Sequence, residues 1–174
     1  RPGDHTKTIK LETVLQCYNK VADPAIDIMR EGKEKNLSAI KCQNATTETQ
    51  HLKLLEKEWG RYKYAILERS PAIYQAIRTL LKDKADYPVQ EFYRLIDAVF
   101  TEEIRPGYAE NAAAHVWGYF KKNATDTERS QYEKNLTNYR NNTGTLETLK
   151  RQLFKLAEKY ETDYLLQSLY FYLE

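Results

Sequence analysis

The chain has 174 residues, enough for one domain with its own hydrophobic core. With only 6 Gly and 5 Pro it cannot be collagen-like or low-complexity, and no apolar run approaches the roughly 18 residues of a membrane span. Its 27 basic and 25 acidic residues leave a net charge of +2, which neither demands nor excludes a nucleic-acid partner.

Nineteen Leu against 5 Val and 9 Ile favour helix over sheet. Leu11, Val14, Leu15 and Tyr18 recur at helical spacing, and Asp23-Pro24 reads as a cap and restart ended by Gly32. Residues 33–50 are polar and weakly periodic, a linker or a marginal helix. From Leu52 the pattern firms: Leu52, Leu55, Trp59, Tyr62 and Ile66 share one face. Ser70 caps a new helix with Pro71 at its first position, and Ile73, Ile77, Leu80 and Leu81 continue it. Phe92, Leu95, Ile96, Val99 and Phe100 mark the next, stopped at Arg105-Pro106-Gly107.

Ala112, Ala113, Val116, Trp117 and Phe120 predict a helix packed closely on a neighbour. Thr125 and Glu128 form a capping box that opens a helix carrying Tyr132, Leu136 and Tyr139. After a turn at Asn141–Gly144, Leu146, Leu149, Leu153, Leu156 and Tyr160 give the clearest amphipathic stripe. Thr162 or Asp163 caps a last helix running through Glu174. The expected fold is an all-α, single-domain helical bundle of about six to eight helices. Residues 1–50 are a helical extension and linker, and residues 51–174 are the helical domain.

Candidate chemistry is sparse. Cys17 and Cys42 have no CxxC spacing and read as reduced thiols. Arg1-Pro2-Gly3-Asp4 lacks the apolar segment of a signal peptide, which sets a cytoplasmic expectation. No HExxH, Walker A, GxGxxG or GxSxG motif occurs, so neither metal nor cofactor is expected. His5 and His51 lie in polar surroundings. Asn111 and His115 sit four apart on one helix face, before a helical Gly118. The pair reads either as a polar pocket that orients His115 for a ligand or proton transfer, or as a buried, hydrogen-bonded histidine.

Cations interleaved with aromatics are the better lead. Arg61, Lys63 and Arg69 follow one another on one helix; Tyr119, Lys121 and Lys122 lie together; Tyr139-Arg140 precedes Lys150, Arg151 and Lys155 across a turn. Ammonium and guanidinium groups hold phosphates, and tyrosines stack on unpaired bases. The alternative is a solvated face, since residues 52–174 hold 19 basic and 18 acidic residues.

The segment from Arg61-Tyr62-Lys63-Tyr64 through Ser70 to Tyr74 resembles the opening motif of the YbgA-like family. Asn111, His115 and Gly118-Tyr119-Phe120 resemble its central Asn-x3-His-x2-Gly-Tyr-Phe signature, Tyr139-Arg140 a Tyr-Arg pair, and Tyr164-Leu165 with Gln167 its terminal motif. The chain departs from the family at Arg69, where a His is usual, and lacks its late prolines. The resemblance implies a domain found alone or fused to thiouracil-desulfurase-like domains. By this resemblance the chain is a non-catalytic RNA-binding module, tRNA in the first place, working with a separate desulfurase-like enzyme. The rivals are a small-ligand enzyme built on His115 and Asn111, and a helical protein-interaction domain.

Overall fold

The computed structural model describes residues 10–20, 35–46, 52–83 and 87–173. Its helices are α1 (Leu11–Lys20), α2 (Lys35–Thr46), α3 (Leu52–Leu67), α4 (Pro71–Leu80), α5 (Val89–Val99), α6 (Pro106–Trp117), α7 (Asp126–Arg140), α8 (Leu146–Lys159) and α9 (Asp163–Leu166), followed by a 3-10 turn at Leu169–Phe171. The chain is a single all-α domain. The expected all-α bundle of about six to eight helices is what the structure shows, with nine α-helices among the described residues, the last a single turn. His5, Asp23-Pro24, Gly32 and His51 lie outside the described residues.

Two of the helix starts follow directly from side-chain chemistry. The Ser70 hydroxyl accepts from the Ile73 N–H, with Pro71 filling the first position of α4, where no N–H is needed. At α7, the Thr125 hydroxyl accepts from Glu128 N–H while the Glu128 carboxylate accepts from Thr125 N–H, a complete capping box.

Helix α3 is the axis. One face, with Leu55, Tyr62 and Ile66, packs on α4 and α5 (Ile77, Phe92, Ile96). Its other face, with Tyr64 and Leu67, packs on α6 and α8 (Ala113, Val116, Leu149, Leu153). Ala112 and Ala113 are fully buried, as small residues at a close helix contact should be.

Of the linker and the marginal helix read for residues 33–50, the helix is what forms, as α2. Its inward side is polar: Ser38, Lys41 and Asn44 are buried beside Cys42. Asp97 of α5 explains this. One carboxylate oxygen accepts from the Leu11 N–H at 2.9 Å, capping α1, and the other is paired with the buried Lys41 ammonium. Asn44 donates to the Tyr93 hydroxyl at 2.8 Å, and its carbonyl accepts from Tyr87. Polar pairs replace apolar periodicity here.

The expected last helix is shortened. The Ser168 hydroxyl accepts from the Tyr170 N–H, and this local bond turns the backbone into the 3-10 turn. Tyr170 thereby becomes fully buried against α3 and α8.

Candidate functional site

Three separated segments meet on one face. Lys63 and Tyr64 come from the second half of α3, Tyr119 from the turn after α6, and Tyr164 from α9. Tyr64 is buried and donates its hydroxyl to that of Tyr119 at 3.0 Å. The rings of Tyr119 and Tyr164 stack, 6.0 Å apart and 18° from parallel. Both remain open to solvent, at 43% and 41% exposure. A Cβ on Gly60 would lie 3.1 Å from the Tyr164 ring, so the missing side chain lets Tyr164 lie against α3.

The Lys63 ammonium sits 4.6 Å from the Tyr64 ring centre and 5.3 Å from that of Tyr164. It has no carboxylate at ion-pair distance among the described residues. Burial, then the charge of Arg78, lowers its pKa from the ordinary lysine value. Burial and the neighbouring Tyr119 and Tyr74 push Tyr164 up to about 12, and burial and the Tyr119 bond push Tyr64 higher. Tyr64 and Tyr164 thus stay protonated near neutrality and act as stacking surfaces and hydrogen-bond groups.

Beneath this face lies a buried charge cluster. Glu68 is fully buried, bonded by Arg69 at 2.6 Å and by Lys150 at 2.9 Å. Burial raises its pKa, against the opposing pull of both cations. The Lys150 ammonium also lies 4.5 Å from the Tyr170 ring centre, and Tyr170 in turn packs edge-on to Tyr64. Arg69 is therefore not a surface cation, contrary to the sequence reading. Its guanidinium is buried between Glu68, the Ala65 carbonyl and the Phe100 ring. Lys150 is likewise held inward, because the buried Glu68 needs a second cation.

The remaining basic positions divide by pairing. Arg61 bonds Glu58, Arg140 forks onto both oxygens of Glu110, and Arg151 pairs with Glu147. Lys121, Lys122 and Lys155 are exposed and carry no carboxylate partner among the described residues. Tyr139 is half-buried on α7, and burial raises its pKa.

His115 and Asn111 line none of the principal cavities among the described residues. Both are exposed, because the inward positions of α6 are taken by Ala112, Ala113, Val116 and Trp117. Gly118 serves another purpose: it ends α6, and a Cβ there would meet the His115 carbonyl at 3.1 Å. Among the described residues no group of His, Cys, Asp and Glu could hold a metal ion, and no helix is long and apolar enough to cross a membrane.

Sequence reasoning passes over Tyr164, Tyr64 and Gly60 as site residues. Tyr64 and Tyr164 are visible as motif positions, but their separation by 100 residues hides their meeting.

Comparison with known proteins adds a family. The chain is 30% identical over 100 residues to a UV DNA damage endonuclease of Clostridium perfringens (strain 13 / Type A). That match covers 56% of this chain but only 23% of the relative, so the chain spans a minor part of that protein's length. No solved structure matches. A family model described as "Protein of unknown function (DUF1722)" matches residues 63–173, from Lys63 in the site to Leu173 at the end of the core. The chain belongs to the DUF1722 family.

Proposed function

We propose that this domain is a non-catalytic nucleic-acid-binding module whose partner is RNA, tRNA in the first place. The observation that carries the reading is Lys63, a half-buried ammonium with aromatic neighbours and no carboxylate partner among the described residues. A desolvated cation without a counterion gains most from a phosphate, which restores the charge balance that burial removed. Lys121 and Lys122 follow Tyr119 in the same turn and add further unpaired cations beside it in sequence. Arg140 and Arg151 would first have to leave Glu110 and Glu147, so they contribute less than their positions in the sequence suggest. The YbgA-like motifs support tRNA as the RNA and a desulfurase-like enzyme as the companion in thiouridine removal.

A second reading is that the nucleic acid is DNA. It is favoured by the name of a relative that is 30% identical over 100 residues, a UV DNA damage endonuclease. An enzyme built on His115 and Asn111 is disfavoured, since two solvent-exposed side chains give a proton transfer little shelter.

The test is binding of bulk tRNA and of duplex DNA, measured by anisotropy over a range of salt. Wild-type binding should weaken steeply with salt, and Lys63→Gln and a Lys121→Gln/Lys122→Gln variant should each bind more weakly. The logarithmic salt slope should fall by about 0.7–0.9 for each phosphate that a variant no longer neutralises. Unchanged affinity and slope in both variants would overturn the reading.

A further inference from the structure

We infer that the Tyr119–Tyr164 pair is a stacking platform for unpaired nucleobases, so that the module takes strand ends and loops and not intact duplex. The inference rests on the nucleic-acid reading above but on a separate observation: the geometry of two exposed rings.

Single exposed hydrophobic side chains are ordinary, whereas exposed rings packed on one another mark a surface to explain. Among the described residues the exposed large hydrophobics are Leu54, Tyr119, Tyr164 and Tyr172, and two of these four stack on each other. Both are fixed in place. The buried Tyr64 holds the Tyr119 hydroxyl at 3.0 Å, and Tyr164 rests on α3 where Gly60 leaves room. The rings are thus ordered before any ligand arrives, which removes most of the entropy cost of using them. Both rings are more than 40% exposed, so a further ring can be laid on the face left open. A base laid on that face extends the stack by one ring.

A base inside a duplex cannot do this, because its faces are covered by its neighbours. The Lys63 ammonium lies 5.3 Å from the Tyr164 ring centre, within reach of the phosphate of a nucleotide whose base stacks there. A ring face offers a base stacking area and no donor or acceptor pair to read its edges. The platform should therefore tolerate all four bases, as stacking does. RNA and DNA strands share this chemistry and are separated by the test.

The experiment uses the whole chain with fluorescent oligo-U, oligo-dT and a blunt duplex of two separate strands, without a loop, of matched charge. Oligo-U or oligo-dT should bind at least about tenfold tighter than the duplex, in keeping with the worth of a stacked base. Preference between the two strands tells an RNA module from a DNA module. Tyr119→Leu and Tyr164→Leu should each lose about tenfold on the single strand and little on the duplex, whereas Tyr164→Phe keeps full affinity. Gly60→Val keeps both rings but displaces Tyr164, and should show the same loss with an unchanged helical dichroism spectrum. Equal binding of strand and duplex, or full single-strand affinity in both Leu variants, overturns the platform while leaving the nucleic-acid reading standing. Absence of any binding by the wild-type chain overturns both.

Discussion

Lys150 on α8 reaches back 82 residues to bond the buried carboxylate of Glu68 at 2.9 Å, and so ties α8 to the end of α3. Lys150→Met leaves Glu68 with Arg69 alone. Removing one partner of a buried ion pair costs about 3 kcal/mol, and the loss here should approach that figure. It should also depend on pH. Glu68 already has a pKa above its ordinary 4.5, so folding stability falls as pH rises from there through the folded value. The variant raises the folded value further. Urea unfolding should therefore show a smaller deficit near about pH 5 than above neutrality. Equal deficits at both would mean that Glu68 does not carry the effect.

Glu128 behaves in the opposite sense. The Lys159 ammonium at 2.6 Å, the Thr125 N–H and the Tyr160 hydroxyl hold its pKa down to about 2. A carboxylate depressed in this way stabilises the fold fully above its unfolded value of 4.5, and that contribution disappears as pH falls towards about 2. Glu128→Gln should melt below wild type at neutral pH and converge with it at the acid end. Thr125→Ala, which removes the reciprocal half of the capping box, should cost about 1 kcal/mol. Parallel melting curves for Glu128→Gln and wild type across the acid range would refute the assignment.

His115 and Trp117 make a paired test of α6. Had His115 been buried, its replacement would have left a polar partner unsatisfied. It is exposed, so His115→Ala should change stability by no more than about 0.5 kcal/mol. Trp117 is inward, stacked on Tyr132 at 4.3 Å and 8° from parallel. Trp117→Ala should cost about 3–5 kcal/mol. Chemical denaturation of the two variants decides the matter, and a large loss in His115→Ala would contradict the placement of α6.

What the sequence determined by itself was whatever depends on neighbours within a turn or two of chain. The starts of α4 and α7 follow from Ser70-Pro71 and from Thr125 with Glu128, because a cap is a bond between residues three apart. Helix α8 follows from its leucine stripe, because amphipathic spacing records which side meets a core. Helix α2 escaped that logic, since Ser38, Lys41 and Asn44 are among its inward positions, and residues of α5 and the segment before it pair with Lys41 and Asn44. Tertiary structure decided the site. Whether a cation faces phosphate or a buried carboxylate depends on partners far along the chain. Arg69 and Lys150 converge on Glu68, and Arg140 meets Glu110, while Lys63 finds two tyrosine rings instead. Burial of Glu68 draws cations inward because a desolvated charge must be paired, and the space left at Gly60 lets two distant tyrosines stack at the surface. Residue type and spacing carry neither fact.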